Sequence, residues 1–130
     1  MASAQKPSAS LDPETFLPPA PQWSGATEKL IVPSTHKWIT PSEKTGLTAT
    51  PAFDETVAFL RKVDKASALV RIETFATTPQ GRQLIAVVAT KDGEKLSPTK
   101  PIFLIQAGIH SGEIDGKDAG LMLIRDICFS

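Results

Sequence analysis

A chain of 130 residues suits one domain, and fourteen basic residues set against fourteen acidic ones leave no formal net charge. No global field draws in nucleic acid or an anionic membrane, and the charges are interspersed rather than gathered into a basic arm or acidic tail. No apolar run approaches the ~20 residues that a bilayer span needs.

The first residues, Met1 to Lys6, lack the apolar centre of a secretory signal, so the sequence leaves the compartment open. Seven of the eleven prolines fall before residue 50, and Leu17-Pro18-Pro19-Ala20-Pro21 is polyproline-like. Residues 1–49 show no sustained helical or strand period. They read as a Pro-rich extended arm, pinned by Phe16, Trp23 and Trp38 to the portion behind it, 50–130. A Pro-rich ligand for an adaptor domain is the functional alternative for this arm.

Thr50-Pro51 reads as a helix start, with a hydroxyl at the N-cap and proline at the first helical position. Phe53, Val57, Leu60 and Val63 then form one apolar stripe, which predicts a helix over 51–65. Leu69 to Phe75 reads as a strand, with Val70 and Ile72 on one face and Arg71 and Glu73 on the other. Thr78-Pro79-Gln80-Gly81 is a turn, and Leu84 to Thr90 a second strand, so the two make an antiparallel hairpin closed by Lys91 to Glu94. Arg82 is assigned to the turn rather than to a substrate. The run 102–107, Ile-Phe-Leu-Ile-Gln-Ala, is apolar on both faces, as an interior strand covered on both sides would be. Gly108 to Glu113 forms the loop at its carboxyl end. Ile114 to Ile127 is a helix, apolar around most of its girth from Leu121 onward and so expected to be buried, with Met122 in its core face. Strand, loop and helix in that order is an α/β arrangement, in which sites sit at strand carboxyl ends.

The chemistry gathers at His110-Ser111-Gly112-Glu113. Zinc accepts an imidazole nitrogen and a carboxylate oxygen at about 2.0–2.2 Å. Ligands three positions apart converge on one ion if the backbone turns sharply between them, and Gly108 and Gly112 supply that freedom. An H-x-x-E match alone is weak, and a hydrogen-bonded pair at a strand end is the plain alternative. Its place after an interior strand, between glycines, favours a metal site. Asp115 is read as the cap of the following helix, and Asp118 as an acceptor able to orient His110. His36, in the arm, is read as an exposed loop histidine rather than a replacement ligand.

The run Thr78 to Leu84, an apolar strand, and then Gly108-Ile109-His110-Ser111-Gly112-Glu113 together resemble the M14 zinc carboxypeptidases. The extension Ile114 to Gly120, with Phe16-Leu17-Pro18-Pro19 and Trp38-Ile39-Thr40-Pro41 upstream, is similar to a bacterial branch of them. The resemblance implies an α/β fold, a mixed parallel/antiparallel sheet with flanking helices, of which only the first strands are present. It also implies zinc as cofactor, a peptide as the parent enzyme's substrate, and a parent that is often secreted or periplasmic. The metal there is held by the His and Glu of this loop and by a second histidine far downstream; it activates a water with the help of a separate glutamate. Only His110 and Glu113 carry over, as metal ligands; no catalytic or substrate-binding residue is assigned.

No histidine follows His110 and no glutamate follows Glu113, so the third ligand and the general base are missing from this sequence. The arginine after the loop, Arg125, lies on the helix expected to be buried. Gln80 stands where many members have glutamate, and Gly112 where digestive members have arginine. The expectation is therefore a truncated metallocarboxypeptidase, inactive as it stands. A zinc deacylase of the succinylglutamate desuccinylase/aspartoacylase type and a non-enzymatic remnant are its rivals. With too few neighbours for strand 102–107, the unpaired sheet edge predicts self-association.

Overall fold

The computed structural model describes residues 24–93, 96–110 and 112–130. Phe16, Trp23, the polyproline-like stretch, Glu94 and Ser111 lie outside the described residues. In chain order come a 3-10 turn (Ala26–Leu30), α1 (Pro41–Lys44), α2 (Phe53–Ala66), β1 (Val70–Thr77), β2 (Gln83–Ala89) and α3 (Asp115–Phe129). This is a small α/β arrangement of helices around one antiparallel strand pair.

α1 is a single turn held by its cap. The Thr40 side chain accepts from the Glu43 N–H, and the Glu43 carboxylate accepts from the Thr40 N–H at 2.8 Å. α2 starts at Phe53, two residues later than the Thr50-Pro51 signal suggests. Ala52 takes the cap position, and the Glu55 carboxylate satisfies its N–H at 2.9 Å. Thr50 is drawn away because its hydroxyl donates to Asp118. Leu60 and Val63 are buried as their spacing predicts; Phe53 is exposed, and Phe59 takes its place on the inner face.

β1 and β2 form the predicted hairpin, with Val70 opposite Ala89 and Thr77 opposite Gln83. The register shifts between Thr74 and Ala76, leaving Phe75 without an opposite residue and exposed on the bulge. The turn is closed by the Thr78 N–H donating to the Arg82 carbonyl and the Arg82 N–H donating to the Thr78 hydroxyl. The Arg82 guanidinium lies over the Phe53 ring. The side chain thus joins the turn to the first turn of α2.

The core joins Trp38, Phe59, Leu60, Val63, Val70 and Leu121. Trp38 stacks flat on Phe129, with ring centroids 4.0 Å apart, and the Lys62 ammonium lies over the Trp38 ring, 4.6 Å from its centroid. The tryptophan therefore ties the chain around Trp38 to the last turn of α3. Cys128 packs half-buried against the same core.

Two expectations are corrected here. Residues 102–107 form no strand: they run without a hydrogen-bonded neighbour, and Ile102, Phe103, Leu104 and Ile105 are each at least two-thirds exposed. A strand needs a partner, and β1 and β2 pair with one another and not with this segment. α3 is likewise not buried all round. Leu121 and Arg125 are buried, while Leu123 and Ile127 face outward, because the core covers one side of the helix only. No helix among the described residues is long and apolar enough to cross a membrane.

Candidate metal centre

The loop 108–113 sits at the N-terminal end of α3. Gly108 and Gly112 both adopt positive φ, +68° and +94°, conformations that side chains rarely tolerate. Between them the chain reverses. The Glu113 N–H donates to the His110 carbonyl at 3.2 Å, and the Ile114 N–H donates to the Gly112 carbonyl at 2.9 Å. This brings the two expected ligands onto one side of the backbone. His110 Nδ1 lies 2.7 Å from Glu113 Oε1, and the His110 N–H donates to Glu113 Oε2 at 3.3 Å.

Both side chains are more than half exposed. The hydrogen bond from the His110 ring, joined by backbone N–H groups, holds the Glu113 carboxyl below the usual carboxylate range. A cation requires that carboxylate in its ionised form. In kind, the donors suit zinc: one imidazole nitrogen and one carboxylate oxygen. In number they fall short, since no group of three histidine, cysteine, aspartate or glutamate side chains is placed to hold a metal among the described residues. The pair fits as part of a zinc site, with its remaining ligands to come from elsewhere.

The surrounding acids differ from the sequence reading. Asp115 makes no cap; Ile114 is the N-cap residue, and no side-chain bond closes that end. Asp118 bonds to groups other than His110. It accepts from the Thr50 hydroxyl at 3.0 Å and from Lys117 Nζ at 2.7 Å. Lys117 Nζ also reaches the Thr50 hydroxyl and the Pro51 carbonyl, so this cluster ties the approach to α2 onto the first turn of α3. His36 accepts from the Trp38 N–H in a turn of the proline-rich segment. A cleft of about 490 Å³ lies beside α3 between Leu47, Thr50, Ile114 and Met122, and another of about 470 Å³ lies between Phe53, Arg61, Arg82 and Ile85. Neither is lined by His110 or Glu113.

Sequence reasoning did not find the buried ionic cluster further along α3. Arg125 is 3 % exposed and donates to both Glu43 carboxylate oxygens at 2.6 Å, to Asp126 at 2.7 Å and to the Leu30 carbonyl at 3.3 Å. Its signal in the sequence was slight: Arg125-Asp126 interrupts the apolar run Leu121 to Phe129.

A histidine and a glutamate paired on a glycine-flanked loop at a helix N-terminus are what a metallopeptidase of the His-x-x-Glu type requires of this region. Residues 56–130, more than half of the chain, match the zinc carboxypeptidase model of the M14 peptidases. The chain belongs to that family. Neither the curated proteins nor the solved structures compared with it gave a match.

Proposed function

We propose that His110 and Glu113 are two zinc ligands of a metallocarboxypeptidase acting on peptides. The observation that carries this reading is the 2.7 Å approach of His110 Nδ1 to Glu113 Oε1, inside the stretch that matches the family. Zinc, when bound, polarises a scissile carbonyl and lowers the pKa of a water. His110 would offer an imidazole nitrogen and Glu113 a carboxylate oxygen; the reversal between Gly108 and Gly112 aims both the same way. The zinc carboxypeptidase match favours peptide hydrolysis over deacylation of N-acyl amino acids. In this reading 1–49 is an arm, and the hairpin is the opening part of a sheet with flanking helices.

These 130 residues hold no histidine beyond His110 and no glutamate beyond Glu113, so they do not complete the site. Their expected partner is a second copy, met through the exposed segment 102–105. Incubated with zinc and N-blocked dipeptides, the chain is expected to show no turnover above buffer. Hydrolysis that a chelator abolishes would overturn the incompleteness. In a longer chain supplying a further histidine and glutamate, His110→Ala is expected to cost more than the ~10–100-fold typical of a group one step removed from a metal. Full activity in that variant would remove the ligand assignment.

A further inference from the structure

Gly116 stands in the first turn of α3, where glycine is a poor helix former and alanine a better one. Its surroundings account for the choice. A Cβ built on Gly116 would lie 2.8 Å from the Cβ of Ala107 and 3.7 Å from its Cα. Carbon atoms rest at about 3.5–4.0 Å, and the Ala107 methyl is fixed to the backbone and has no rotamer by which to withdraw. Adding that carbon therefore moves the main chain. By contrast, a Cβ on Gly120, one turn further along the same helix, meets nothing within 4 Å.

Ala107 is the residue that leads into the loop, and Gly116 lies just beyond the point where the loop ends. The contact between them closes the base of the stretch containing His110 and Glu113. Gly108, next to Ala107, is seated in the same base: its Cβ direction points at the Glu113 carbonyl, 3.4 Å away, and at the Lys117 Cβ, 3.7 Å away. The two ends of the loop thus meet at a separation that leaves room for hydrogens only.

We infer that Gly116 is a positioning residue, whose missing side chain lets Ala107 lie directly on α3 and so closes the loop that brings His110 to Glu113. The role it serves rests on the reading of that pair as metal ligands; the geometry does not.

The test compares the unaltered chain with Gly116→Ala, Gly120→Ala and the double variant Ala107→Gly/Gly116→Ala. It uses NMR at a concentration where sedimentation shows a single species. The readout is the nuclear Overhauser contact between the His110 ring and the Glu113 γ protons, with circular dichroism reporting helix content. Gly116→Ala is expected to lose the contact while keeping or gaining helix, Gly120→Ala to keep both, and the double variant to regain the contact. A merely structural glycine would respond to helix propensity alone, and the two alanine variants would then behave alike. The His110–Glu113 contact persisting in Gly116→Ala, or staying lost in a folded double variant, would overturn the inference. If Gly116→Ala does not fold, the double variant decides by the same readout. A zinc titration of each protein is read separately. No response to zinc in any of them, with the contacts changing as expected, would remove the metal assignment and leave the positioning intact.

Discussion

Replacing Arg125 by methionine is expected to destabilise the fold by about 3–5 kcal/mol, the usual cost of removing one member of a buried ion pair. The guanidinium is almost wholly enclosed and binds Glu43, Asp126 and the Leu30 carbonyl at once. Methionine fills much of the volume but leaves the Glu43 and Asp126 carboxylates without the cation that both bind. It also releases Glu43 from α3, and with it the turn that carries Thr40 and Ser42, both buried. Against a typical total stability of ~5–15 kcal/mol, the loss is large enough to read directly in urea unfolding.

The same contact sets an acid dependence. Burial pushes the Glu43 carboxyl up, but the Arg125 and Thr40 hydrogen bonds outweigh it and hold it below its ordinary value. A depressed folded-state pKa contributes stability that is present above the unfolded value, ~4.3 for glutamate, and lost as pH falls through the folded one. Unfolding midpoints of the unaltered chain should therefore drop as pH falls below about 4. The Glu43→Gln variant should start lower at pH 7 and show less of that drop. Equal pH profiles for the two proteins would show that Glu43 is not the group responsible.

Placing lysine at both Phe103 and Ile105 is expected to turn a self-associating chain into a monomer without lowering its thermal stability. The unaltered segment presents four consecutive large apolar side chains to solvent and carries no charge from Pro101 to Ile109. Such a run, with unpaired backbone groups, invites pairing with a second copy. Charge along it opposes that pairing. Substitutions at exposed positions usually change stability by less than ~0.5 kcal/mol, whereas two lysines forced into an interior strand would unfold the chain. Sedimentation and melting together separate these cases. A monomeric, normally melting variant supports the exposed segment; an unfolded variant means that 102–107 is buried after all.

The local parts of this fold were legible in the sequence. The hairpin could be read because a turn containing Pro79 and Gly81 separates an alternating run from a short apolar one, and α3 because a helical pattern follows a glycine-containing loop. The run 102–107 reads as interior because its six residues carry no charge on either face. Burial, however, depends on what lies beside a segment, and pairing across the sheet is not written in the strand itself. Arg125 failed to announce itself for a similar reason: its partner Glu43 is 82 residues away in sequence. Phe59 was missed because a stripe at spacings of four, three and three omitted the position just beside it. In the site, the spacing of His110 and Glu113 and the glycines around them were enough to anticipate their meeting. The direction of Asp118 was not, since Lys117 and Thr50 compete for it and Thr50 comes from a different part of the chain.

The most direct measurement is a zinc titration of the isotopically labelled chain, followed residue by residue in heteronuclear NMR spectra and repeated on His110→Ala and Glu113→Ala. The account predicts weak one-to-one binding whose shifts centre on His110 and Glu113 and vanish in either variant. Shifts that centre elsewhere, or that survive both substitutions, would contradict it.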